Sequence, residues 1–584
     1  MHHVAELPQW DLTPLFSGLD AKDFQAAWDD VRQRIRDLEA LMGRHEVGKR
    51  AARPSDKAAF REIIDALNGI YEAQTPLGAY LYALVSTEAT NEAAQAKLSE
   101  YEGLMLQLQR LRPRWVVWLA ALEPEMVEAG EYSILIEEAK VEAQHMMSEA
   151  EEVLAAELSL SGGAAWAKLH GNLTSLITAS VNGEELPMSS VRLLAMNPDP
   201  AVRKAAYEAE LAAWKANEVA LAAALNGWKG EQSTLNRKRG WADDLEPTLQ
   251  QNRITRGALS AMQAAMVESF PIWRRYFRAK AKALGKERLD WWDLFAPVGV
   301  AGGRRWSWEE GRRFIVEHLS AFSQADADLA ERAYAERWID ALPRKGKVGG
   351  AYCMPIGKGQ SRILTNYEES FGGVSTMAHE LGHAYHNLCL STRPALLRQT
   401  PMTLAETASI MNETIITEAA LSSVSEAEQL PILEGNLQDT AQVIVDIHSR
   451  FLFERSVFEK RKERELSPSE FKQLMLEAQQ ATYGDALASY HPYMWAVKGH
   501  YYGSDFYNYP YAFGLLFGLA LFNKYRLEGP DFVAQYDDLL ASVGTYSAQQ
   551  LAARFGFDLE DPGFWAGGLE VLAARIARFE KLVG

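Results

Sequence analysis

Residues 379–383 read His-Glu-Leu-Gly-His. Residues four apart share one face of an α-helix, so His379 and His383 can offer two imidazole nitrogens to a single zinc ion. Glu380 follows the first histidine. Its carboxylate would lie beside the metal, where it can take a proton from a metal-bound water. Such a site needs a third protein ligand and keeps one position open. A third histidine six residues past His383 would mark one large subclass, but Cys389 stands there, and His386 replaces the glycine expected three residues on. The other common arrangement takes a glutamate from a following helix. Leu404 to Glu413 reads as that helix, preceded by Pro401. Glu406 lies 23 residues beyond His383, enough for a turn and an antiparallel return, and is the expected ligand. Glu413 comes seven residues later on the same face and stays open as the alternative, with a supporting role as its main expectation. His386 reads as a packing neighbour, and Cys389 as a small buried hydrophobe.

A second constellation spans 490–511. Seven of the 22 tyrosines fall there, namely Tyr490, Tyr493, Tyr501, Tyr502, Tyr507, Tyr509 and Tyr511, together with His491 and His500. Peptide hydrolysis develops an oxyanion, and a neutral Tyr O–H or His N–H can stabilise it. The cluster is expected to serve that task, although any single tyrosine in it could be packing with a wet hydroxyl.

These residues need elements to hold them. Val374 to Leu388 lacks proline and is expected to be the helix of the histidine pair, with Gly372-Gly373 breaking a preceding strand and Ser375 as a cap. Two strands around 348–367 are expected before it. The first 170 residues read as helical. Phe24, Trp28, Val31, Ile35, Leu38 and Met42 recur at helical spacing, with Gly43 as a stop. Phe60, Ile63, Ile64, Leu67, Ile70 and Tyr71 repeat the pattern between Pro54 and Pro76. Asn182-Gly183 predicts a hairpin near 175–191. Asn197-Pro198-Asp199-Pro200 then marks a boundary, giving an N-terminal helical domain over 1–195 and a catalytic domain over 196–584. Ala512 to Phe522 is apolar and reads as a buried helix, too short to span a bilayer.

Composition narrows the partners. The chain has 584 residues, 48% of them hydrophobic and 24% charged, so it should fold around a sizeable core. A net charge of −18 argues against nucleic acid and anionic membranes as partners. Two cysteines exclude a disulfide framework and a four-cysteine zinc site. The opening residues Met1 to Glu6 lack the pattern of a signal peptide, so a cytoplasmic location is expected.

The chain resembles the oligoendopeptidase F enzymes of the wider thimet oligopeptidase group of zinc metallopeptidases. The resemblance is carried by His379-Glu-Leu-Gly-His-Ala-Tyr-His386, Glu406-Thr-Ala-Ser409, His500-Tyr-Tyr and Tyr507-Asn-Tyr-Pro-Tyr-Ala-Phe-Gly514, with Trp10-Asp-Leu-Thr13 near the start. It is strongest over 350–415 and 490–525. It implies a mainly α fold, a large bowl-shaped gluzincin with a small β-sheet at the active site and a deep substrate channel. It implies one Zn2+ per chain held by His379, His383 and Glu406, with Glu380 as base. It implies Tyr511 as the oxyanion tyrosine, with His500 and Tyr507 alongside, and a strand near 361–367 that pairs with the substrate backbone. The implied activity is endopeptidase cleavage of short unstructured peptides. A zinc exopeptidase with the same ligand set is the rival, and a non-catalytic helical scaffold a more distant one. Cleavage preference and oligomeric state are not encoded legibly.

Overall fold

The computed structural model describes residues 7–299 and 304–584, so the opening segment read for a leader, 1–6, lies outside them. The protein is 70% helical. Five short strands occur among the described residues: β1 (Thr178–Val181), β2 (Glu184–Pro187), β3 (Ile339–Asp340), β4 (Tyr352–Gly357) and β5 (Gln360–Leu364). No helix among those residues is long and apolar enough to cross a membrane. The chain sorts into two compact units. One comprises Met1–Met146, Arg304–Ala419 and Lys524–Leu551; the other comprises Met147–Gly303, Ala420–Asn523 and Ala552–Gly584. Each unit is thus built from three separate stretches.

In the first unit, helices Lys22–Arg44 and Asp56–Thr87 pack side by side. Phe24, Val31, Ile63 and Ile70 at their seam are wholly buried, each contributing about 1.5–3 kcal/mol of burial. The first helix runs past Gly43 to Arg44. Pro76 does not end the second helix but lies inside it. Proline deletes one helical N–H bond, and the buried residues that follow it, Leu77, Tyr80, Leu81 and Ala83, offset that loss.

The sheet of this unit has the order β3-β5-β4, with β3 parallel and β4 antiparallel to β5. The Lys358-Gly359 turn between β4 and β5 places both residues at positive φ, 54° and 67°. β3 is only two residues long and carries no alternating pattern, so it was not legible in the sequence. Its presence corrects the expectation for 361–367. That strand lies in the middle of the sheet, with β3 and β4 at its two edges.

The histidine pair lies on helix Phe371–Leu390. It begins earlier than Val374 because Ser370, not Ser375, is the cap: Ser370 Oγ accepts from Gly373 N at 3.2 Å. Gly373 therefore belongs to the first turn, where a Cβ would lie 2.2 Å from Glu368 O.

In the second unit, β1 and β2 form the hairpin around Asn182-Gly183, with φ of 53° and 87°. The return strand stops at Pro187, and Met188–Leu193 is helical. Met188 and Val191 turn inward there, a helical spacing that outweighs strand propensity. A 39-residue helix, Pro200–Lys238, starts with proline at N1 behind the Asp199 cap. It carries Trp214, Leu221 and Leu225 into a core with Phe453, Phe471, Trp495, Tyr501 and Tyr502. Helix Tyr509–Glu528 contains the apolar run, buried throughout from Ala512 to Phe522.

Candidate metal centre and tyrosine loop

His379, His383 and Glu406 converge. One donor atom from each lies within 4.8 Å of the others, the sole such three-residue cluster among the described residues. Glu406 Oε2 is 3.2 Å from His379 Nε2 and 3.4 Å from His383 Nε2. Two donors bonded to one tetrahedral zinc at its usual distances stand about 3.3 Å apart, so this donor set fits such an ion. The side chains keep 26%, 23% and 18% exposure respectively, which leaves the cluster reachable from solvent.

Local structure explains the convergence. Glu406 is not inside a helix. It sits at the break between Met402–Ala405 and Thr407–Ser423, with φ −88° and ψ 3°. Ser409 Oγ donates to Glu406 Oε2 at 2.8 Å and steers the carboxylate. The approach of the two chain segments depends on Gly382. A Cβ there would lie 2.5 Å from Ala408 O and 2.6 Å from Ser409 Cα. Glu413 stands on the far side of the first imidazole, its Oε2 3.1 Å from His379 Nδ1. A carboxylate behind a histidine in this way fixes the ring and leaves Nε2 to face the cluster.

Charge follows geometry. Burial drives the Glu406 carboxyl upward, but hydrogen bonds and charge from His379 and His383 prevail and hold it far below the usual range. Burial opposes a proton on His379, yet Glu406 and Glu413 together raise this imidazole well above its ordinary value. Glu380 is buried, and burial raises its carboxyl against the pull of His379 and His383. Its Oε2 has no protein partner among the described residues. His386 is buried and pushed down to about 4 by burial and by His383. Cys353 and Cys389 are both unbridged.

The second unit holds the tyrosine loop, and its structure sorts the seven tyrosines. Tyr501 and Tyr502 are fully buried, Tyr509 donates to Thr248 O at 3.1 Å, Tyr493 donates to Glu218 Oε2 at 2.8 Å, and Tyr490 is bonded to Gly484 O. Tyr507 and Tyr511 keep partly exposed side chains, and Tyr511 OH donates to Tyr507 OH at 3.4 Å. His491 is fully buried, 3.4 Å from Glu210, whereas His500 is exposed, its ring 4.5 Å from that of Tyr507.

The loop is pinned from beneath by Lys229, which donates to Ser504 O at 3.1 Å and Asp505 Oδ1 at 2.8 Å, and pairs with Glu454 at 2.5 Å. Phe506 takes the left-handed conformation at φ 50°, its ring set between Phe451 and Phe458. A non-glycine residue held there stores strain of about 1–3 kcal/mol, and the aromatic packing sustains it. Sequence reasoning missed Lys229, Arg450 and Asn508 as supports of this loop, because Lys229 and Arg450 lie far in sequence from the loop residues they hold, and the role of Asn508 depends on Arg450.

Comparison with known proteins agrees with this picture. Residues 315–570 match peptidase family M3. Group B oligopeptidase PepB of Streptococcus agalactiae is 23% identical over all of this chain and 98% of its own. A crystal structure from Chlamydophila abortus superposes with a TM-score of 0.82 at 20% identity, covering 98% of each chain. Oligoendopeptidase F from Enterococcus faecium superposes at 0.69 and 17%, covering 96% of this chain and 99% of its own. Residues 315–570 thus carry a peptidase M3 region, and the chain along its whole length is similar to oligopeptidases, a likeness that supports a metallo-oligopeptidase.

Proposed function

We propose that this peptidase is a zinc-dependent endopeptidase that cuts internal bonds of short unstructured peptides. The observation that carries the reading is the three-donor cluster with the buried, unpartnered Glu380 carboxylate coupled to it. His379, His383 and Glu406 would hold one zinc ion, which when bound supplies a Lewis acid and a water of lowered pKa. Glu413 orients His379. Glu380 accepts a proton from the attacking water and returns it to the leaving amine, a task suited to a carboxyl that burial raises above its ordinary value. Tyr511 donates its hydroxyl to the oxyanion, with Tyr507 beside it and His500 as the third group of the loop that meets substrate. The edge strand β4 offers unpaired backbone groups to an extended peptide. The oligopeptidase names of the relatives support the short-peptide preference.

The test is mass spectrometry of a ladder of peptides, about five to forty residues long, incubated with zinc-loaded protein and a folded protein in one tube. Internal cuts confined to the peptides are expected. Stepwise loss from one end would replace the endopeptidase reading with the exopeptidase one. Absence of any cut would end the mechanism.

A further inference from the structure

We propose that His500 meets the substrate through an unprotonated Nε2, as the acceptor for a peptide N–H, and that Arg450 and Asn508 are positioning residues that fix this tautomer. The inference rests on the peptide-hydrolysis reading above.

The argument begins at Arg450. Its guanidinium grips Asp446 Oδ2, with Nε at 2.7 Å, and Nη1 donates to Asn508 Oδ1 at 3.1 Å. A guanidinium can only donate, so the Asn508 atom that faces it must be the amide oxygen. That same oxygen lies 3.2 Å from His500 Nδ1. A carbonyl oxygen can only accept, so Nδ1 carries the proton. A neutral imidazole has one N–H, and Nε2 is left with a lone pair. Burial lowers the pKa of His500 against the Asn508 bond, and the charges of Arg450 and Lys498 lower it further, so the ring is neutral at neutral pH.

Asn508 is buried, which keeps solvent from reshuffling the amide, while His500 itself is exposed. No described residue bonds its Nε2. A lone pair repels a carbonyl oxygen or an oxyanion and attracts an N–H. His500 therefore reads the donor side of the peptide backbone, and oxyanion stabilisation falls to the tyrosine hydroxyls.

Two measurements test this on the full-length zinc-loaded enzyme. The first is a long-range 1H–15N spectrum of protein labelled at histidine, with His500→Gln identifying the signal. A pyrrole-type Nδ1 and a pyridine-type Nε2 are expected at pH 7, and the reverse pattern overturns the proposal. Asn508→Leu is expected to mix the tautomers, whereas Asn508→Asp should retain the Nδ1 proton and move the His500 titration upward. An unmoved His500 signal in Asn508→Leu overturns the positioning role.

The second measurement uses matched peptides in which one amide N–H at a time becomes an ester oxygen. At one position the wild type should lose about threefold to tenfold in kcat/KM, and His500→Phe should show no further loss there. Equal losses in both enzymes at every position overturn the acceptor role. Turnover with the opposite tautomer defeats this inference alone. No turnover with any peptide, alongside the expected spectrum, defeats the substrate role together with the reading it rests on.

Discussion

The donor cluster of the first unit and the tyrosine loop of the second solve the same problem, holding polar groups still, by opposite means. The cluster is charged, and its histidine pair is built on helical backbone. Glu406 is held anionic by two imidazoles, and the spacing of those imidazoles is set by one turn of helix Phe371–Leu390. The loop is neutral where it is exposed and irregular in backbone. It owes its shape to buried side chains beneath it: Lys229 between Glu454 and Asp505, Phe506 between two phenylalanines, and Arg450 on Asn508. A helix supplies rigidity from local hydrogen bonds, whereas a loop must import it from packing. Failure of the first region should therefore follow from loss of a single charged donor, and failure of the second from loss of the packing beneath it.

The largest expected effect is on the charged side. Glu380→Gln should retain bound metal, read by elemental analysis, and lose about 10^2–10^4-fold in kcat. Loss of metal in that variant would show Glu380 to be a ligand and break the division of labour drawn here.

Removing the proposed oxyanion donor should cost less. Tyr511→Phe is expected to lower kcat by up to about 10^2–10^3-fold with KM little changed. A change in KM alone would make Tyr511 a binding residue and bring the loop closer to a passive wall.

Glu413→Gln probes the support behind His379 and should weaken metal affinity about 10–100-fold in a chelator competition. Gly382→Ala tests the close helix approach. Overpacking of this kind costs about 1–3 kcal/mol, so a lower Tm and weakened metal binding are expected. An unchanged Tm would mean that the segments can part without penalty.

The smallest effect concerns pH. Asp326 is fully buried near Asn412, which lies on the helix that follows Glu406. Burial pushes its carboxyl up to about 8, the neighbouring Asn412 amide opposing and the Asp537 charge adding. The unfolded chain releases this proton near 3.8 and the folded chain only near 8. The group's stabilising contribution is thus fully present below 3.8 and falls as pH rises through that window. Asp326→Asn should raise Tm by a few degrees at pH 8, have little effect at pH 4, and flatten the pH dependence between them.

Legibility in the sequence followed the range of the forces involved. The apolar stripes of 24–42 and 60–71 announced their helices, because a helical face is written at a spacing of three and four residues. The Asn182-Gly183 turn was equally plain. Pro76 misled because a local penalty was outweighed by burial on either side of it. β3 was invisible because two residues carry no period, and without it the central place of β5 in the sheet could not be read. Glu406 appeared to lie within a helix and instead occupies a break, where its backbone turns the carboxylate toward the histidines. Among the tyrosines, composition marked the segment but could not say which hydroxyls were spent on internal bonds.

The sequence by itself determined the pairing of His379 with His383 on one helical face, the adjacent Glu380, and the presence of a Tyr/His-rich segment before a buried helix. Each is a statement about near neighbours along the chain, and backbone periodicity enforces it wherever the helix forms. Tertiary structure alone decided that Glu406 stands between the imidazoles while Glu413 stands behind one of them, that the Tyr511 hydroxyl meets that of Tyr507, and that Asn508 dictates the proton on His500. Those are contacts between residues brought together by packing. They depend on ångström-scale approaches, such as the one Gly382 permits, which no pattern of neighbouring residues specifies.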